Sequence, residues 1–118
     1  MAIFLLKKSY QANNQKEIGF KDLWGSYGVF TTIRLFGKPG KLILLKSHIK
    51  GLIKSLKKYK IYSKNIETNI NRLIYSNINK NINYDHLFRI ALTKKFISIS
   101  IRKRLKPKKD FELKLINY

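Results

Sequence analysis

The chain has 118 residues, of which 26 are Lys or Arg and 6 are Asp or Glu, so its formal net charge at pH 7 is +20. This length accommodates one domain with one modest core, and no linker or repeat divides residues 1–118. The absence of Cys excludes a disulfide framework and a thiolate metal site. Two His and six carboxylates leave little from which to build another metal site or an acid–base pair. We therefore predict no metal site and no catalytic residue.

The uncharged segments are short. The longest run without a charged residue, residues 23–33, is well below the roughly 18 residues that cross a bilayer. The N-terminal segment MAIFLLKK has no preceding basic region and no small-residue cleavage site, and no Arg occurs before Arg34. Neither a secretory signal nor a mitochondrial presequence is therefore indicated. We predict a soluble, cytoplasmic protein that does not enter a membrane.

The positive charge has two explanations. Lys and Arg release counterions from phosphate backbones, so a charge of this size favours a nucleic-acid partner. Ile, Lys and Asn, however, make up 48 of the 118 residues, and all three are encoded by codons rich in adenine and thymine. Drift in genome composition would give the same excess, so the composition leaves both explanations open. The densest basic run, RKRLKPKK at residues 102–109, is either a solvated loop or an RNA contact.

The first half of the chain predicts three strands. MAIFLLKK is typical of a first strand, and residues 27–36 are dense in aromatic and β-branched side chains. The alternation of that second strand places Phe30 and Arg34 on one face. The turn sequence at residues 37–40 follows, and residues 42–45 complete a hairpin.

Two helices are predicted next. Ser47 is a candidate N-cap, and the apolar residues that follow recur at helical spacing: Ile49, Leu52, Ile53, Leu56 and Tyr59. The second helix begins near Ser63 and carries a stripe formed by Ile66, Ile70, Leu73, Ile74 and Ile78. It ends in the Asn-rich residues 77–83.

Three further strands follow, at residues 87–93, 96–101 and 111–116, the first two joined by Lys94 and Lys95. Strands grouped on either side of grouped helices indicate an α+β domain. We predict an antiparallel sheet with two helices on one face.

Few side chains suggest chemistry. Arg34 and Arg89 interrupt apolar strands, so each needs a carboxylate partner, an anionic ligand or a path for its head to solvent. His48, at a helix start, is predicted to be tied into hydrogen bonds. Trp24, Tyr27 and the other aromatic residues are predicted to belong to the core rather than to a base-stacking platform, because they do not alternate with Lys or Arg on one strand face.

One long segment resembles a known family. The sequence YGVFTTIRLFGKPGKLILLKSHIKGL, residues 27–52, is similar to the N-terminal signature of class IV aminotransferases, the fold-type IV enzymes that use pyridoxal phosphate. The matching residues are Gly28, Phe30, Arg34, Leu44, Leu45, His48 and Leu52. The later sequence LFRIALTKKFISISIRKRLKP resembles a strand pair of the same family. The FTTxR and LLxxHI elements look closest to 4-amino-4-deoxychorismate lyase.

The resemblance implies a fold and a site. The fold is that of the small N-terminal domain of these enzymes. Phe30 would line the substrate pocket, Arg89 would lie near the substrate carboxylate, and Arg34 would be a structural or pocket-edge cation. The implied chemistry is amino-group transfer, or pyruvate elimination from aminodeoxychorismate in folate synthesis.

The chain departs from the family in two respects that decide its expected activity. The arginine that contacts the cofactor phosphate in relatives falls at Gly51. Relatives also continue beyond the position of Tyr118 into a large domain that carries the Schiff-base lysine. We therefore expect this chain alone to be inactive and not to bind pyridoxal phosphate, and to need a complementary large domain or a homo-oligomer. The alternatives are a small basic ribosomal or RNA-binding protein, and a degenerate fragment or regulatory partner without catalysis.

Overall fold

The computed structural model describes residues 3–23 and 25–104 of the chain. Within them the elements are β1 (Phe4–Gln11), β2 (Glu17–Ile18), β3 (Val29–Gly37), β4 (Lys41–Leu42), α1 (Leu45–Lys58), α2 (Ile66–Ser76), β5 (Tyr84–Leu92) and β6 (Phe96–Lys103). The strands form one antiparallel sheet in the order β2-β1-β6-β5-β3-β4. Both helices pack on one face of it. The predicted α+β fold is confirmed.

The core lies between that face of the sheet and the two helices. Along β3, Val29, Ile33 and Leu35 are buried while Phe30 and Arg34 are exposed, as the alternation predicts. The helices contribute most of their predicted apolar stripes, but Tyr59 and Ile78 lie beyond the ends of α1 and α2, and Tyr59 is exposed. The buried cluster joins sheet and helices through Val29, Leu35, Phe88, Ile90, Leu92, Ile97, Ile99 and Ile101 on one side and Ile49, Leu52, Leu56, Ile66, Ile70, Leu73 and Ile74 on the other. Burial of this apolar area is the main stabilising term of the fold.

The start of α1 differs from the prediction. The strand predicted over residues 42–45 is confined to Lys41–Leu42, and Leu45 already begins the helix. Leu44, rather than Ser47, is the N-cap residue; it adopts the left-handed conformation and no side chain caps the helix. The left-handed backbone at Leu44 ends the strand at this point because it cannot continue an extended ladder. The backbone carbonyl of Leu44 then accepts a hydrogen bond from the His48 amide, 3.1 Å between N and O.

The remaining boundaries shift by a few residues. The second helix begins at Ile66 rather than near Ser63, and β5 begins at Tyr84, three residues before the predicted start. The short strand β2 was not predicted. The strand predicted over residues 111–116 and most of the basic run at residues 102–109 lie outside the described residues.

Neither described helix combines the length and the apolar character needed to span a membrane. Within residues 3–23 and 25–104, no three His, Cys, Asp or Glu side chains are grouped so that they could hold a metal ion.

Candidate site on the open face of the sheet

The face of the sheet opposite the helices carries the candidate site, and strand register sets its composition. Thr32 lies opposite Arg89, and Arg89 lies opposite Ser100, across the β3–β5 and β5–β6 ladders. Directly opposed residues of antiparallel strands point to the same face. Phe30, Arg34 and Arg89 therefore share this face, which we call the open face.

Phe30 and Arg89 are in contact. The guanidinium carbon of Arg89 lies 4.8 Å from the centre of the Phe30 ring, within the range of a cation–π interaction. The Phe30 side chain is still 57% exposed. Both residues line two adjacent cavities, one of about 350 Å³ that extends towards Gly28 and Thr93 and one of about 300 Å³ that extends towards β1. The pair thus forms a partition between two small cavities.

The second cavity combines aromatic rings with cations. Its lining includes Phe4, Lys7, Phe20 and Arg102 in addition to Phe30 and Arg89, and Asp22 supplies a carboxylate. The Lys7 ammonium lies 4.4 Å from the Phe4 ring centre and 5.5 Å from that of Phe20. Guanidinium groups bind carboxylates and phosphates through paired N–H donors, and ring faces pack against planar apolar groups. This lining therefore suits a small anion with a flat apolar body.

A loop segment is anchored against the open face by two buried serines. The Lys21 backbone N–H donates to Ser9 Oγ at 2.8 Å, and Ser98 Oγ donates to the Lys21 carbonyl at 2.7 Å. The two Oγ atoms are 2.7 Å apart. Because Lys21 is held in this way, its neighbours Phe20 and Asp22 are positioned at the second cavity. Neither serine was predicted to have a role, since isolated serines in strands carry no distinctive sequence signal.

Arg34 occupies a different part of the open face. It lines neither cavity and lies four residues from Phe30 along β3, about 13 Å at the usual rise of a strand. Its guanidinium lies 3.8 Å from Asp85 Oδ1 and 5.0 Å from the centre of the Phe36 ring. Arg104 also approaches Asp85 Oδ1, at 3.9 Å. The structure therefore brings Phe30 and Arg89 together but not Arg34, whose ion pair lies towards the other end of the β3–β5 ladder.

The burial prediction for the aromatic residues was wrong for much of the set. Phe30 and Phe36 flank Arg34 on the exposed side of β3, and Tyr27 is 74% exposed. The prediction failed because it considered the aromatic residues together and not by strand face. Trp24 lies outside the described residues.

His48 forms the hydrogen bond that was expected of it. Its Nδ1 lies 2.9 Å from the Thr31 hydroxyl. Thr31 is on the helix-facing side of β3, so the bond ties the first turn of α1 to the strand that carries Phe30. His48 is a structural link in this arrangement.

A second histidine, His86, follows Asp85 on β5 and lies opposite the buried Leu35, on the helix-facing side of the sheet. Burial lowers the pKa of His86 below its ordinary value of 6.5; the neighbouring Asp85 carboxylate opposes this effect and Lys103 adds to it. The Asp85 backbone N–H donates to His86 Nδ1 at 2.9 Å, which requires an unprotonated nitrogen there.

Gly51, the position singled out by the departure from the family signature, lies within α1. A Cβ at Gly51 would meet nothing within 4 Å, so the space beside this residue is open. Gly51 is also exposed on the helix layer, across the sheet from Phe30 and Arg89.

Comparisons with protein-family models, with curated proteins and with solved structures give no match for this chain.

Proposed function

We propose that this chain is the small domain of a class IV pyridoxal-phosphate-dependent aminotransferase or 4-amino-4-deoxychorismate lyase that acts in the cytoplasm. In this proposal the open face holds the substrate, and a complementary large domain supplies the Schiff-base lysine and the cofactor. The observation that carries the proposal is the contact between Phe30 and Arg89 at two cavities on that face. Phe30 and Arg89 are 59 positions apart in the sequence. The family resemblance assigns both residues to the substrate pocket.

The proposed role of the chain is binding and orientation. Arg89 would hold the substrate carboxylate by charge-assisted hydrogen bonds, while the Phe30 ring would pack against the apolar part of the substrate. Arg34, paired with Asp85, would be a structural cation that ties β3 to β5. Pyridoxal phosphate would supply the electron sink for the reaction when the large domain is present.

The binding step can be tested on the chain itself with a matched pair of probes. We would titrate the protein with 4-aminobenzoate and with the uncharged 4-aminobenzamide and follow backbone and aromatic resonances by NMR. We expect 4-aminobenzoate to shift the resonances of Phe30 and Arg89, and we expect 4-aminobenzamide to shift them little. Replacing Arg89→Gln should weaken binding about tenfold or more, because a hydrogen bond to a charged group contributes about 1.5–3 kcal/mol.

Arg72→Gln is the control for net charge. Arg72 lies on α2, on the helix layer, where it donates to Gln15 and Asn69. If Arg72→Gln weakened the binding of 4-aminobenzoate as much as Arg89→Gln does, the proposed site would be wrong. It would also be wrong if 4-aminobenzamide bound as tightly as 4-aminobenzoate.

The family assignment needs a separate test. The chain would be mixed with the separately produced large domain of a 4-amino-4-deoxychorismate lyase, and pyruvate release from aminodeoxychorismate would be measured. We expect release only from the mixture, and we expect Phe30→Ala to reduce it. A stable one-to-one complex that releases no pyruvate would contradict the assignment.

A single-stranded RNA platform is the second candidate, and one observation favours it. Phe30 and Phe36 lie on the same exposed face of β3 as Arg34, with Thr32 between Phe30 and Arg34, and stacking on aromatic rings contributes about 1–3 kcal/mol per base. If this is the function, the Phe36→Leu variant should bind a 12-nucleotide oligouridine about tenfold or more weakly than the wild-type protein does. Binding that is indifferent to Phe36→Leu and falls steeply with salt would indicate diffuse phosphate contacts alone.

A further inference from the structure

A large cavity lies on the helix layer, across the sheet from the open face. It is a groove of about 770 Å³ between α1 and α2. Its apolar lining comes from Leu45, Ile49 and Ile53 on α1 and from Tyr75 on α2. Ile49 is buried and Ile53 is half-buried, whereas Tyr75 is 62% exposed. Among residues 3–23 and 25–104, the groove thus offers an apolar floor that no other side chain fully covers.

A row of lysines borders this floor. Lys46, Lys50, Lys54 and Lys57 line the groove and are all exposed. Within the part of the chain that the structure describes, none of the ion pairs involves any of these four residues. Glu67 is the single carboxylate of the lining. The rim is therefore strongly positive and would attract an anionic partner.

The spacing of the row matches that of a helix. Lys46, Lys50 and Lys54 recur every fourth residue, so successive side chains are about 6 Å apart along α1. The lining extends from Leu45 to Lys57, a length of about 18 Å. A helix lying along the groove can place acidic residues at the same interval and direct its apolar stripe at the floor.

The shape of the groove separates this partner from other polyanions. A bilayer surface is flat and would meet the exposed lysines but not the recessed Ile49 and Ile53. A nucleic-acid strand would meet the lysines and could stack a base on Tyr75, but it would leave Leu45, Ile49 and Ile53 without a suitable contact, because bases stack on rings rather than on branched aliphatic side chains. An amphipathic helix satisfies the charge and the floor together.

We infer that the groove between α1 and α2 binds an acidic amphipathic helix of a partner protein. This surface lies on the other layer of the domain from Phe30 and Arg89, so the inference is independent of the proposed substrate site. Loss of carboxylate binding on the open face would leave it unaffected.

A synthetic helix provides the probe. We would label an 18-residue peptide whose apolar stripe carries Leu at positions i, i+3, i+4 and i+7. A separate row beside this stripe carries Glu at every fourth residue. Binding would be measured by fluorescence anisotropy at 0.15 M salt. A scrambled peptide with the same composition keeps the charge but lacks the apolar stripe. We expect the amphipathic peptide to bind about tenfold or more tightly than the scrambled one, because only it covers the floor. Methyl resonances of Ile49 and Ile53 should shift on binding.

Charge reversal in the rim tests the lysine row against general electrostatics. The variant Lys50→Glu with Lys54→Glu should lower the affinity for the amphipathic peptide about tenfold or more, since two attractive charge pairs become repulsive. The matched control is Lys64→Glu with Lys80→Glu, which makes the same change in net charge at exposed positions outside the groove. If charge reversal impairs folding, Lys50→Gln with Lys54→Gln removes the two charges without adding acidic ones.

Three outcomes would overturn the inference. The first is equal weakening by the control pair, which would mean that the net charge alone attracts the peptide. The second is equal affinity for the scrambled peptide. The third is that the amphipathic peptide leaves the Ile49 and Ile53 resonances unchanged while another probe shifts them. That probe would be a 12-nucleotide oligouridine or vesicles with 30% phosphatidylglycerol.

Discussion

Arg89 and Phe30 meet across the β3–β5 ladder, with the guanidinium carbon 4.8 Å from the ring centre. The register places Thr32, not Phe30, directly opposite Arg89, so the contact is diagonal. Diagonal neighbours on one face are within reach of long and aromatic side chains. The contact consequently reports the register of two strands as well as the composition of the open face.

A double-mutant cycle can measure this contact. Phe30→Leu removes the ring and keeps an apolar side chain, and Arg89→Gln removes the charge. We expect a coupling free energy of about 0.5–1 kcal/mol from urea unfolding, the usual size of an exposed cation–π pair. Phe36→Leu combined with Arg89→Gln is the control, and its two effects should add within about 0.5 kcal/mol because Phe36 lies at the other end of β3. Equal coupling in both pairs would argue against a specific Phe30–Arg89 contact.

Two glycines should respond to alanine in opposite directions. A Cβ at Gly28 would overlap the carbonyl oxygen of Leu92 and crowd Thr93 Cγ2 at 3.1 Å. We expect Gly28→Ala to lower the free energy of unfolding by about 1–3 kcal/mol, as overpacking against backbone does. Gly51→Ala should instead raise it by about 0.5–1 kcal/mol, because Gly51 lies in α1 with nothing within 4 Å and alanine favours the helix. Chemical denaturation of both variants checks these signs, and a neutral Gly28→Ala would contradict the close approach.

The sequence predicts the elements better than it predicts how they are joined. The stripe Ile49, Leu52 and Leu56 is buried as the helical spacing requires, and β3 alternates as expected. Strand order could not be obtained in this way, because period-2 patterns are the same whichever neighbour a strand pairs with. The early start of α1 was missed because it depends on the left-handed backbone of Leu44, a residue type for which that conformation is rare.

The candidate site shows the same division. Phe30 and Arg34 were placed on one face from the local pattern of β3, which is correct. The contact between Phe30 and Arg89 depends on the pairing of β3 with β5. In the sequence β3 precedes both helices and β5 follows them, so no local pattern contains this contact. The family resemblance named both residues but not their distance. Ser9 and Ser98, which hold the loop at Lys21, carry no pattern at all.

His86 should make stability depend on pH. Burial lowers its pKa in the folded protein below the ordinary value of 6.5, so the unfolded chain binds the proton more readily. The slope of the unfolding free energy with pH is therefore positive in this window: stability is complete above about pH 6.5 and falls as the pH drops towards the folded pKa. The variant His86→Gln should lose this component. Unfolding curves from pH 7.5 to pH 5 would measure it, and a difference between wild type and variant that stays constant with pH would contradict the shift.

The exposed rings of the open face should drive association when charge repulsion is screened. Phe4, Phe20, Phe30 and Phe36 are each between 39% and 57% exposed there, and contiguous apolar patches commonly mark contact surfaces. A net charge of +20 opposes self-association at low salt, and the screening length falls from about 10 Å at 0.1 M to about 3 Å at 1 M. We therefore expect the sedimentation-derived mass to rise between 0.1 M and 1 M NaCl. Phe30→Ser with Phe36→Ser should suppress the rise, whereas Tyr62→Ser, at an exposed ring after α1, should not. A mass that falls with salt would mean instead that bound polyanion bridges the chains, because only contacts between opposite charges weaken in that direction.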